Sequence, residues 1–159
     1  MKDPSSESLW TRVWIPIGAG LFILALTLSA VFVPQLRRLH LLQSLIYVAV
    51  VVLTRRNSVW GFGAGATVAA FWNCLNLFVT HLIQAGAGQF WSLVHTGHVR
   101  RPDTLMVLVG GVAHILFIIG CLAGFLQLRP RAKHWGQFFA GGLLALAYLA
   151  LIVVTTAPH

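Results

Sequence analysis

Acidic residues are almost missing from this chain. There are three in 159 residues, Asp3, Glu7 and Asp103, and none lies inside an apolar run. That excludes the intramembrane carboxylate on which proton- or Na⁺-coupled carriers depend. It also excludes the carboxylates of a di-iron site and those that hold Mg²⁺ for phosphoryl transfer. Cysteine is nearly as scarce: Cys74 and Cys121 both fall in apolar runs and form no C-x-x-C pair. Thiol–disulfide exchange therefore lacks its machinery, and both read as small buried hydrophobes. No serine sits in a Gly-x-Ser-x-Gly elbow. General acid–base work would fall to histidine alone, so an enzyme acting without partners is disfavoured.

Charge of either sign is sparse, at 9% of residues, while 58% are hydrophobic and the mean hydropathy is +0.83. A soluble domain carries about 25% charged residues. The deficit fits lipid-facing helices, where charge is costly. The net charge of +8 comes from basic residues at the ends of apolar runs: Arg37–Arg38, Arg55–Arg56, Arg100–Arg101, then Arg129, Arg131 and Lys133. Residues facing lipid headgroups are placed this way. A nucleic-acid surface would cluster them on one soluble face, so no nucleic-acid partner is expected.

What is abundant is long apolar sequence. Runs at 13–33, 59–85, 105–128 and 138–157, with a shorter one at 39–53, fill most of the chain. About 20 apolar residues in a helix cross a hydrocarbon layer roughly 30 Å thick. The expected fold is an all-α membrane protein, a five-helix transmembrane bundle forming a single domain over 1–159. Its spans are placed at about 13–33, 39–54, 59–85, 104–128 and 136–157. The polar stretch 1–8 reads as a disordered tail. The run that follows is longer than a signal-peptide core, and Asp3 and Glu7 dilute the positive flank, so it reads as a retained first helix.

The second segment is short, carries His40, Gln43 and Tyr47, and is bracketed by arginine pairs. It either crosses as a locally thinned span or dips in as a re-entrant helix. With five spans the inner side holds Lys2, Arg12, Arg55, Arg56, Arg129, Arg131 and Lys133, against Arg37, Arg38, Arg100 and Arg101 outside, seven to four. With four spans the inner side gains Arg37 and Arg38 and loses Lys2 and Arg12, so the tally is again seven to four. Five spans are preferred because 47–53 is dense in β-branched apolar residues. In both cases the Arg129–Lys133 loop is cytoplasmic and the C-terminus non-cytoplasmic. The expected location is integral to a membrane, the bacterial inner (plasma) membrane.

Trp10, Trp14, Trp60, Trp91 and Trp135 fall near predicted water–lipid boundaries, and Trp72 falls mid-span. Between the third and fourth spans, 89–99 is weakly amphipathic, with Phe90, Trp91 and Val94 on one face. It predicts a short interfacial helix, stopped by Arg101-Pro102-Asp103, with Asp103 and Thr104 as N-cap candidates for the fourth span. Gly120-x-x-x-Gly124 has the spacing that lets two helices approach closely. It serves either packing inside this bundle or contact with other membrane subunits or a homo-oligomer.

The third span carries the most informative pattern. At about 100° per residue, Ala66, Ala69, Asn73, Asn76, Thr80 and Gln84 fall within about 60° of one direction. Phe71, Leu75, Phe78 and Leu82 fall opposite. A polar face must be satisfied internally, because lipid offers no hydrogen bonds. It lines a binding cavity or bonds to a neighbouring helix at about 1 kcal/mol per contact. His114 lies near mid-membrane in the fourth span, beside Gly110 and Gly111, which leave room for a flat group such as haem or quinone. His81 is the other histidine inside a long span, but it sits shallower by roughly 8 Å at 1.5 Å per residue, a poor match for a bis-histidine haem. His95-x-x-His98 is the one metal-like spacing, suited to copper or zinc if helical.

The expected function is thus non-enzymatic: a small-molecule binding or transport component, or a subunit of a larger membrane complex. Its ligand residues would be Asn73, Asn76, Thr80, His81 and His114, and its ligand a small apolar or amphipathic molecule, with no cofactor. The alternative is a redox or metal-handling protein with haem, quinone or copper on histidine, in which His95 and His98 hold the metal.

Overall fold

The structure, a computed structural model, describes residues 10–128 and 134–156. The tail, the basic loop Arg129–Lys133 and the last residues lie outside them, as do the expectations placed there. Among the described residues every regular element is helical. A π-helical turn, Trp10–Trp14, leads into α1 (Ile15–Phe32), and a 3₁₀ turn, Pro34–Leu36, leads into α2 (Arg37–Arg55). Then follow α3 (Val59–Cys74), a second π-helical turn (Leu75–Val79), α4 (Leu82–Thr96), α5 (Pro102–Leu126) and α6 (Trp135–Thr156). Among the described residues five helical stretches are long and apolar enough to cross a membrane: Ile15–Phe32, Pro34–Arg55, Val59–Val79, Pro102–Leu126 and Trp135–Thr156.

The turns follow from local chemistry. Val33 precedes Pro34 and is extended (φ −128°, ψ 79°), because the proline ring disfavours helical geometry in the residue before it. Asn57, between α2 and α3, is left-handed (φ 55°), a conformation asparagine tolerates better than most residues. α4 ends on Gly97, left-handed at φ 70°, whose N–H bonds Leu93 O as a glycine C-cap does. The Arg-Pro-Asp sequence therefore does not stop α4, as the sequence suggested. Pro102 instead opens α5 at its first position, where its missing N–H costs nothing. Nor do Asp103 and Thr104 cap α5. The N-cap position is Arg101, whose guanidinium donates to Asp103 at 2.8 Å. The Thr104 hydroxyl donates back to Arg101 O at 2.9 Å. The bond to Asp103 holds the exposed Arg101 above its ordinary pKa.

α5 is the hub, packed against α1, α3 and α4, while α6 packs along α3. The core is built from Phe22 of α1, Tyr47 and Val50 of α2, Phe62 of α3, Phe117 and Phe125 of α5, and Ile152 of α6. Glycines set the closest approaches. A methyl on Gly18 would stand 2.9 Å from Phe117 N of α5, and one on Gly63 would overlap the Phe138 backbone of α6. Gly120 and Gly124 face Ile15, Thr11 and Phe62 of this chain, so that pair serves packing inside the bundle. Leu41, Phe139, Leu143 and Val154 are among the many large apolar side chains left exposed. In water they would be an aggregation liability; in a bilayer they meet lipid.

The third run is not one helix. After Cys74 the ladder slips into a π turn, then breaks at His81, which is left-handed (φ 56°). α4 starts again beside α5: Ile83 packs on Gly111, Gly86 on Thr104 and Leu108, and Gln89 Oε1 accepts the N–H groups of Arg100 and Arg101 at 2.9 and 3.1 Å. α4 thus begins at Leu82, seven residues before the predicted amphipathic stretch. Cys121 is buried as expected, but Cys74 is exposed.

Candidate functional site

The centre of the bundle is an aromatic cluster around His114, whose ring has no exposed surface. Gly110 and Gly111 do leave room, but the chain's own side chains fill it. A methyl on Gly110 would stand 3.2 Å from the Phe22 ring and 3.4 Å from Trp72. Phe22 lies against the imidazole with centroids 3.9 Å apart, and Trp72 meets it edge-on at 4.7 Å. Tyr47 of α2 closes the cluster, its hydroxyl oxygen 2.6 Å from His114 Nε2. No bond satisfies His114 Nδ1. If Nε2 carried the hydrogen, both Nδ1 and the Tyr47 hydroxyl hydrogen would lack partners. With Tyr47 donating to Nε2, a single unmet donor remains, Nδ1–H, and buried groups favour the arrangement with fewer orphans.

The second unmet group is Asn73 Oδ1. Asn73, on α3, donates through Nδ2 to Gly111 O at 3.3 Å, and this fixes the amide so that its oxygen is the free end. The side chain lines a small cleft of about 160 Å³ with Leu77, Ile83, Leu108, Gly111, Val112 and Ile115. α3, its π turn, α4 and α5 all contribute to this cleft. The helix break shapes it: α4 restarts so that Ile83 returns to Gly111, the residue whose carbonyl Asn73 already bonds.

The other predicted residues have mostly local partners. Asn76 is buried and donates to Trp72 O at 3.0 Å, and Thr80, which is exposed, donates to Asn76 Oδ1 at 3.2 Å. His81 Nδ1 lies 3.0 Å from Gln84 Oε1, and Gln84 Nε2 donates to Leu77 O at 3.2 Å. These groups stitch the π turn to the start of α4. The face that starts at Ala66 therefore continues only to Asn76; beyond it a π turn and a left-handed residue each shift the angle. Of the residues expected opposite the polar side, Phe71, Leu75 and Phe78 are exposed, while Leu82 is half-buried.

The histidine pair His95 and His98 does not share a helical face, since α4 ends at Thr96. His95 Nδ1 donates to Trp91 O at 2.9 Å and stacks on the Trp91 ring. Among the described residues no three metal-ligating side chains gather. Nor do the residues fit a haem or quinone on His114. Its Nε2 is held by Tyr47, and Phe22 and Trp72 occupy the space a flat ring would need. His81 sits exposed at the helix break, away from that cluster.

Two members of the centre, Tyr47 and Phe22, were not recognisable as site residues. Tyr47 was visible in the sequence only as a polar residue in a short span. Its pairing with a histidine 67 positions away leaves no local signal.

What the fold defines is a class: among the described residues every regular element is helical and five helices are long and apolar enough to cross a membrane, the build of a polytopic membrane protein. Comparison with protein-family models, with curated proteins and with solved structures finds no match to it.

Proposed function

We propose that this protein is a non-enzymatic membrane component that holds a small amphipathic molecule in the cleft between α3, α4 and α5. The observation that carries this reading is Asn73, whose side chain lines that cleft and whose buried Oδ1 has no hydrogen-bond partner. An unmet acceptor in an apolar setting costs about 1–3 kcal/mol, and a ligand hydroxyl or N–H removes that cost. The cleft's 160 Å³ is close to the roughly 150 Å³ of an apolar cavity that takes benzene. The ligand therefore inserts one compact head with a single donor, and any apolar tail stays in lipid. Asn76, Thr80 and His81 shape the break that opens the cleft, and His114 supports it from behind through Trp72.

In this reading the arginine-rich ends set the orientation, with Arg55 and Arg56 on the cytoplasmic side and the C-terminus outside. α2 crosses fully as the short span. α4 climbs along α5 from Gly111 towards the outer boundary, where its exposed Phe90, Trp91 and Val94 meet lipid headgroups or a neighbouring subunit. A transport role, or membership of a larger membrane complex, would use the same cleft as the recognition element.

Mass spectrometry of small molecules retained by the detergent-purified protein tests the reading. The wild type should carry one compound enriched over bulk lipid, and Asn73→Leu should lose it with its helix content unchanged. Identical profiles for the two proteins would sink the proposal.

A further inference from the structure

A second groove lies on the other side of α3. It has a volume of about 490 Å³ and runs between α2 and α6 with α3 as its floor. Ala49, Ala64, Gly141 and Ala145 make it deep, and Leu45, Leu53, Leu144 and Trp60 form its rims and ends. From Leu45 to Leu53 it extends about 12 Å at 1.5 Å per residue, close to half of a hydrocarbon core roughly 30 Å thick. It is therefore one leaflet deep. Its inner end holds no free polar group: the Tyr148 hydroxyl there donates to Leu42 O at 2.8 Å.

The other end is different. Leu53 and Trp60 flank the turn that carries Arg55 and Arg56, both exposed. Among the described residues the one ion pair is Arg101 with Asp103. Asp103 opens α5, whereas Arg55 and Arg56 sit at the end where α5 finishes, since Phe62 of α3 packs on Gly124. The two guanidinium groups thus have no carboxylate beside them among those residues. An apolar groove close to one leaflet deep thus ends at Leu53 and Trp60, next to a turn that carries two exposed arginines.

We infer that the groove between α2, α3 and α6 is a binding site for an anionic phospholipid of the surrounding bilayer. One acyl chain lies over Ala49, Ala64 and Ala145, and Arg55 and Arg56 hold the phosphate. Arginine suits this role because its planar fork matches phosphate oxygens. Basic groups between helix ends are a recurrent means of headgroup recognition. The site is separate from the Asn73 cleft and stands or falls independently of it.

The test uses the full chain in detergent, titrated with dioleoyl phosphatidylglycerol or dioleoyl phosphatidylcholine and read by native mass spectrometry. Wild type should retain one phosphatidylglycerol at least several-fold better than phosphatidylcholine. Arg55→Gln with Arg56→Gln should remove the preference. Ala49→Phe fills the groove from an exposed position and should remove binding of both lipids. Equal retention of the two lipids by wild type overturns the inference. So does full phosphatidylglycerol binding by Ala49→Phe, which would make the arginines a general surface attraction. A dimer that Ala49→Phe dissociates would also overturn it, because the occupant would then be a second copy of this chain.

Discussion

Tyr47 and His114 meet at 2.6 Å in the centre of the bundle, joining α2 to α5 through a bond that no solvent reaches. Among the described residues α2 has other side-chain ties to the bundle only near its first half, including Arg37 Nε donating to Ala30 O of α1 at 3.3 Å. His40 donates from Nδ1 to Leu26 O of α1 at 3.0 Å, and Tyr148 of α6 reaches Leu42 O. The Tyr47–His114 bond is therefore a specific anchor for the shortest-looking span, and it lies behind the wall that carries Asn73.

This bond should be energetically coupled. Tyr47→Phe leaves the imidazole acceptor unmet and should cost about 1–3 kcal/mol. His114→Leu leaves the phenol unmet and also loses ring contacts. The double variant should be less destabilised than the sum of the two by about 1 kcal/mol or more. Thermal unfolding in detergent, followed by circular dichroism, measures the cycle. Strict additivity would mean that the bond contributes nothing.

The glycines divide into two groups. Gly20 has nothing within 4 Å of an added methyl, whereas the space beside Gly63 is filled by Phe138 backbone. Gly20→Ala should stabilise α1 by up to about 1 kcal/mol through helix propensity. Gly63→Ala should destabilise by about 1–3 kcal/mol, because backbone cannot rotate aside as a side chain can. The same melting experiment checks both, and equal effects would contradict the α3–α6 packing.

Histidine-bound haem is expected to be absent. The purified protein, expressed with haem supply, should show no Soret band. His114→Ala opens space beside Phe22 and Trp72 but removes the ligand, so it should be equally colourless. A Soret band in wild type that disappears in His114→Ala would show that the aromatic cluster rearranges around a porphyrin.

The five long apolar helices were legible because apolar length alone marks them in a chain with three acidic residues. Whether the second crosses fully was left open by the sequence, and the run at 59–85 is broken after Cys74. The buried position of His114 was legible from the same runs. The break at Leu75–His81 was not, since 75–84 contains neither proline nor glycine. It is imposed by packing: Asn73 is tied to Gly111 while Gly86 is fitted against Thr104 and Leu108, and a straight helix does not satisfy both. A stripe drawn at 100° per residue therefore placed Thr80 and Gln84 on the Asn73 face, whereas both bond within the turn. For the same reason, room beside Gly110 looked like space for a ligand until Phe22, from a distant helix, was seen to fill it.

Orientation provides the last prediction. Arg55 and Arg56 close α2, and Arg129, Arg131 and Lys133 lie between the last two spans. These two clusters stand at the same end of the sequence of crossings, so both should remain in the cytoplasm. A C-terminal reporter active only in the cytoplasm should be silent, and one active only outside should work. An N-terminal tag then separates the span counts. With α2 crossing fully, as a continuous helix of 19 residues allows, the N-terminus is cytoplasmic and the two ends lie on opposite sides. If both ends report from outside, α2 enters and leaves by the same face, and its anchor to His114 belongs to a re-entrant helix. Cytoplasmic activity at the C-terminus would reverse the last three spans and, with them, the leaflet that supplies lipid to Arg55 and Arg56.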